Sequence, residues 1–219
     1  MLIKGAALGS NKVWADAKKI LGDENVIDSQ KIEKFLKIVF PNEILKQLSE
    51  TLENSLDILK ELKGPHSLFL GLPWDPKGNK LTLLKMEELY KTVNISCRHD
   101  DYLDGTDASN RICNLGLYLV PHKIREDTLC KTFKEASKLI KYPEECPSAI
   151  DILCFYFQSL MIKGEPLLPN KAVLCKDKPE KNLGVMVELN IRSIHVQHVD
   201  ESIAGSDIGI LQIFKLPID

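Results

Sequence analysis

The sequence predicts an α+β fold. It is helix-rich over its first three-quarters around a buried central helix at residues 147–163, with an antiparallel β-sheet built largely from the C-terminal quarter. Three observations carry this expectation. The run from Pro147 to Lys163 is apolar nearly all round, as a helix buried on every side must be. Apolar residues recur at spacings of three and four before Gly164 and of two after it. No repeat and no low-complexity linker interrupts the 219 residues, so one α+β domain, 1–219, is expected, with a helical N-terminal subregion over 1–64.

Taken in order, residues 6–21 read as a helix stopped by Gly22, with Leu8, Trp14, Ala15, Ala17, Lys18 and Leu21 on a ragged apolar face. Ser29 then precedes Ile32, Phe35, Leu36 and Val39, a short helix ending before Pro41. Pro41 and Asn42 open the next helix, and Gly64 and Pro65 close it. Its stripe of Leu45, Leu48, Leu52, Leu56, Leu59 and Leu62 reads first as a core-facing surface packed near Phe155, and second as a partner-binding helix.

His66 to Leu72 is a strand by its apolar run, and the Pro- and Gly-rich loop after it exposes Trp74. Leu81 to Val93 is helical by period, residues 97–111 are polar and acidic, and Leu115 to Val120 is a strand ended by Pro121. Ile124 to Ile140 reads as an amphipathic helix ended by Pro143.

The central helix follows. Pro147 suits a first turn, Asp151 sits where the helix dipole favours a negative charge, and Gly164 with Pro166 stops the chain. A membrane span needs ~20 apolar residues; this run is shorter and holds Asp151 and Gln158, so no membrane span is expected.

Beyond it, Ala172 to Cys175 is short and apolar, and Lys176 to Asn182 reads as a solvated turn. Val185 to Ile191 alternates as a half-buried strand; Ile194, Val196 and Val199 make a second, with a turn or bulge at Arg192-Ser193. Ile208 to Leu216 reads as one last strand, apolar on both faces and therefore interior.

The formal charge is -2 with both signs interspersed, which argues against nucleic acid as a partner. The start, MLIKGAALGSNKVW, has too short an apolar core for a signal peptide, so a reducing cytosol is the expected setting. Asn94-Ile95-Ser96 matches the glycosylation pattern, which carries little weight without a secretory route. The six cysteines lack C-x-x-C spacing, and most are expected to be buried thiols.

Chemistry concentrates in Cys97-Arg98-His99-Asp100-Asp101-Tyr102-Leu103-Asp104-Gly105-Thr106-Asp107. Clustered carboxylates suit a hard divalent cation, so Asp100, Asp101, Asp104 and Asp107 are candidate Ca²⁺ or Mg²⁺ ligands. The EF-hand pattern fails, because Tyr102 takes a ligand position and Arg111 stands where the closing Glu belongs. The alternative is a solvated Asp-Gly turn. A thiol nucleophile at Cys97 or Cys113 would need His99, His122, His195 or His198 beside it. His195 and His198, at odd spacing on a strand, are expected on opposite faces.

The order His66, His99-Asp100 and a distant Asp151 resembles the ligand order of the HD-type phosphohydrolases. The resemblance covers four residues and implies an all-helical fold with a divalent metal that activates water at these positions. Asn94, Ser96 and Arg98 stand where that family has an apolar helix.

No complete catalytic motif is present, so the leading expectation is a non-enzymatic protein whose partner is another protein, with no cofactor. Trp74 and the Leu-striped helix are the contact surfaces on offer. A bacterial effector translocated into a host cytosol fits the acidic Asp200, Glu201 and Asp207 before Phe214, Leu216 and Ile218. The alternative is a metal-dependent hydrolase using His99, Asp100 and Asp104.

Overall fold

The computed structural model describes the backbone of residues 6–141, 143–180 and 182–216, and the side chains within these ranges from residue 12 onward. Leu8 as a side chain and Ile218 lie outside the described residues. Helices α1 (Ala6–Leu21), α2 (Ser29–Leu36), α3 (Asn42–Asn54) and α4 (Leu56–Glu61) come first. Strand β1 (His66–Gly71), helix α5 (Leu83–Thr92), strand β2 (Ser96–His99), the one-turn α6 (Asp107–Asn110) and strand β3 (Gly116–Pro121) follow. Then come α7 (Phe133–Ser137), β4 (Glu144–Glu145), the central α8 (Ala149–Gln158) and a π-turn (Ser159–Lys163). The chain closes with β5 (Lys171–Cys175), β6 (Leu183–Leu189), β7 (Ser193–Asp200), β8 (Ile208–Gly209) and β9 (Ile213–Lys215).

The α+β class is as expected, and the strands form two sheets, mostly antiparallel. One has the order β1-β3-β9-β4 and is antiparallel throughout. The other has the order β2-β7-β6-β5-β8, with β2 and β8 running parallel to their neighbours at its two edges. The C-terminal quarter supplies most of the second sheet, while the first takes β1, β3 and β4 from earlier in the chain.

All ten residues of α8 are buried, and the helix touches β1 in one sheet and β6 in the other. Phe155 packs its ring 5.4 Å from Phe69 and 5.2 Å from Tyr118. On the other side Tyr90 of α5 meets Tyr156 and Phe157 and donates its hydroxyl to the Leu153 carbonyl at 2.7 Å. At the N-terminus the Asp151 carboxylate accepts from the Ser148 N–H at 2.9 Å and the Ser148 hydroxyl at 2.6 Å, which satisfies donors left open by helix geometry. Gly164 ends the π-turn at φ 75, where a side chain would be strained.

Several expectations are corrected. The helix expected over 41–64 breaks at Ser55, whose hydroxyl turns back to the Thr51 carbonyl at 2.7 Å; α3 and α4 pack on α1, and α3 also on β3. Leu48, Leu52 and Leu59 of its stripe are fully buried. The helix expected over 124–140 shrinks to a 3-10 turn at Glu126–Thr128 and to α7, because Cys130 adopts φ 55 and Thr132 starts a new capping box with Glu135. Trp74 is half-buried against Phe40, their rings 6.0 Å apart. The last strand divides: β8 pairs with β5, and β9 crosses over to lie between β3 and β4. Asp177, inside the expected solvated turn, is buried.

Candidate functional site

The acidic segment folds into two linked histidine–carboxylate clusters. Strand β2 runs beside β7, with Arg98 opposite His195 and His99 opposite Val196. Asp100 lies just past the last pair, its N–H on the Val196 carbonyl at 3.0 Å. From there its carboxylate meets His195 Nε2 at 2.8 Å through Oδ1, and His198 Nδ1 at 2.9 Å through Oδ2. The His198 N–H also donates to Oδ2 at 3.1 Å. The two histidines expected on opposite faces are thus joined by one forked carboxylate beyond the strand end, where the alternation of faces no longer limits reach. Tyr102 lays its ring 4.7 Å from that of His198.

The second cluster is centred on His99. Its Nδ1 faces Glu87 Oε1 of α5 at 2.7 Å, and its Nε2 faces Asp104 Oδ1 at 2.8 Å. Burial of the ring disfavours charge, but the carboxylates of Asp104 and Glu87 outweigh it and hold the imidazole above its ordinary pKa. At Asp100 burial acts the other way, upward, and the bonds from His195 and His198 overcome it, leaving the carboxyl below the usual range. Glu87 sits on a separate helix, and no spacing rule in the sequence ties it to His99.

The metal candidates are dispersed. Asp101 and Asp107 are exposed, and Asp100 and Asp104 are engaged by histidines. His66 on β1 meets the Gly64 carbonyl at 3.1 Å and the Phe214 ring, while Asp151 caps α8. The ligand order shared with the HD-type phosphohydrolases is therefore not gathered in space, and the two sheets depart from the all-helical fold it implies. Among the described residues, no group of three or more His, Cys, Asp or Glu could hold a metal ion.

The thiols are mostly packing groups. Cys97, Cys113, Cys154 and Cys175 are buried, and burial holds Cys97 well above the ordinary thiol range, which removes it as a ready nucleophile. Cys113 is raised as well, first by its contact with Cys154 and then by burial. His122 meets the hydroxyl of Ser67 and not a cysteine.

A third feature had no signal in the sequence beyond a short amphipathic helix. Helix α2 stops three residues short of Val39 because Lys37 turns left-handed at φ 61. Val39 is then 66% exposed and Phe35 41% exposed. Beside Phe35 an apolar cleft of about 180 Å³ opens between α2, α5 and α8, lined by Leu36, Leu72, Pro76, Met86, Leu89 and Phe157 among others. Trp74 and the Leu stripe, by contrast, are largely consumed in packing.

Comparison with protein-family profiles, with curated proteins and with solved structures finds no match to this chain. Among the described residues no helix is long and apolar enough to cross a membrane.

Proposed function

We propose that this chain acts by binding another protein through the surface around Phe35. The observation that carries the reading is an exposed Phe35 at the lip of an open apolar cleft, with Val39 exposed nearby. Large apolar groups are kept in water at a cost of roughly 1.5–3 kcal/mol each, and a cleft beside them offers an anchor pocket of the kind interfaces use. Charged Lys34 and Lys37 flank Phe35, giving a polar rim around an apolar centre. A cytosolic setting, whether the cell's own or that of a host entered by a translocated effector, is compatible with such a surface.

The rival reading, a metal-dependent hydrolase on His99, Asp100 and Asp104, would require a cation to displace the histidine contacts of both carboxylates. The test is photo-crosslinking in the source cells from a benzophenone amino acid at Phe35, with Glu53, exposed on α3, as the control site. A discrete crosslinked species from position 35 alone, abolished by excess unlabelled protein but not by its Phe35→Glu variant, is expected. Equal labelling from both sites, or none from position 35, would remove the reading.

A further inference from the structure

On the other flank of α2 lies a polar recess of about 920 Å³, bordered by the loop around Asp23–Asn25, the π-turn after α8 and residues 165–169. Lys163, from the π-turn, reaches into it. Its Nζ donates to Asn25 Oδ1 at 3.0 Å and to Ser67 Oγ at 3.1 Å, both neutral acceptors. Among the described residues no carboxylate lies within ion-pair distance of it. The neighbouring lysines differ. Lys18 is neutralised by Asp28 at 2.6 Å and Asp23 at 3.2 Å, and Lys31 by Asp23 at 3.5 Å.

Ser67 is fully buried, and its hydroxyl also lies 2.8 Å from His122 Nε2 and 3.3 Å from Asn25 Oδ1. Burial, Lys163 and His66 all hold the His122 pKa down, opposed by Glu165. One donor of the ammonium, the third Lys163 N–H, remains without an acceptor among the described residues. Burial also draws the Lys163 pKa down, with Lys31 adding to it, while Glu165 and Glu24 oppose from beyond contact distance. A partly buried ammonium without a counter-ion, in an open recess, is the complement of an anion.

We propose that this recess binds a small organic monocarboxylate at Lys163 Nζ, with Lys34 at the mouth. The charge class follows from the rest of the lining. Asp23, Glu24, Asp28 and Glu165 balance the four lysines, so a single negative charge is accommodated and a phosphate dianion is repelled. The recess adjoins the apolar cleft at Phe35, but small-molecule titration and crosslinking from position 35 are read independently, so either reading can fail alone.

The experiment is thermal unfolding and calorimetric titration of the full chain with acetate, pyruvate, lactate and inorganic phosphate, each against chloride at matched ionic strength. At least one monocarboxylate is expected to give a saturable rise in unfolding temperature, with phosphate giving none. Lys163→Met should weaken that ligand by ~30-fold or more. Lys34→Glu, at an exposed position that folding does not depend on, should weaken it several-fold and decides the matter if Lys163→Met does not fold. No saturable shift with any carboxylate, an equal shift with phosphate, or a shift unchanged in the variants overturns the proposal.

Discussion

Gln158 completes the hydrogen bonding of Leu70. Its Oε1 accepts the Leu70 N–H at 3.3 Å and its Nε2 donates to the Leu70 carbonyl at 2.7 Å. Strand β1 is an edge of its sheet, and this amide from the central helix stands in for a missing neighbouring strand. Ile27 does the same one pair along, donating its N–H to the Leu68 carbonyl at 2.9 Å.

Replacing Gln158 with Leu keeps the volume but strands both backbone groups of Leu70 in a dry core. Each unsatisfied group costs about 1–3 kcal/mol, so a loss of about 2–4 kcal/mol is expected. Urea unfolding measures it; a loss below about 1 kcal/mol would mean that β1 finds other partners.

The two histidine clusters set opposite limbs of a pH profile. The His99 pKa is raised on folding, so its contribution is complete below the unfolded value near ~6.5 and is lost as pH rises through the folded value. That of Asp100 is lowered, so its contribution is complete above ~3.9 and is lost as pH falls through the folded value. Urea midpoints from pH 3 to 9 should therefore peak between these limits. His99→Gln should flatten the alkaline limb and leave the acid limb in place.

Asp177 caps α8 from a distant loop, its Oδ2 accepting the Ala149 N–H at 2.7 Å while Arg111 Nε approaches Oδ1 at 2.9 Å. Burial outweighs both contacts and holds the carboxyl above the ordinary range. The charge is thus a penalty and the acceptor an asset. Asp177→Asn should cost little, and Asp177→Ala about 1–2 kcal/mol, read as a difference in unfolding midpoint. Equal costs for the two would assign the stabilisation to charge.

Gly71 ends β1 with no room for a side chain, since an added Cβ would lie 1.8 Å from the Asn114 carbonyl oxygen and 2.8 Å from the Tyr118 ring. Gly71→Ala must force β1 and β3 apart where they pair, at a cost of about 1–3 kcal/mol. Hydrogen exchange should show the loss of protection first at Phe69 and Tyr118, the nearest pair whose amides face each other across β1 and β3; uniform protection would mean that the strands absorb the methyl.

Metal addition is the sharpest check on the acidic segment. A ligand binding only the folded state at ~100 times its dissociation constant adds ~2.7 kcal/mol. Mg²⁺, Mn²⁺, Ca²⁺ and Zn²⁺ are expected to leave the unfolding temperature where it is. A shift with one metal that vanishes in Asp100→Ala would restore the hydrolase reading.

What the sequence made legible was local. The central helix, β1, β3 and the β6–β7 pair follow from periods and stops within one window. Ser55 and Cys130 broke two expected helices because a hydroxyl folding back and a left-handed residue leave no mark on apolar spacing. The clusters were half legible. His99 and Asp100 stood out as a polar pair, but Glu87, His195 and His198 reach them only through tertiary packing. The contact that turns Asp177 from loop residue into helix cap spans 28 positions and has no pattern of its own.

The placement of β9 constrains synthesis as well as structure. It fills the slot between β3 and β4, although almost a hundred residues separate Tyr118 from its partner Lys215. A nascent chain must expose β3 and β4 with that slot vacant until Ile213–Lys215 has cleared the ribosome. Between the synthesis of β4 and that of β9 the sheet is an open template of unpaired backbone, and closing it is a long-range step of the slow kind.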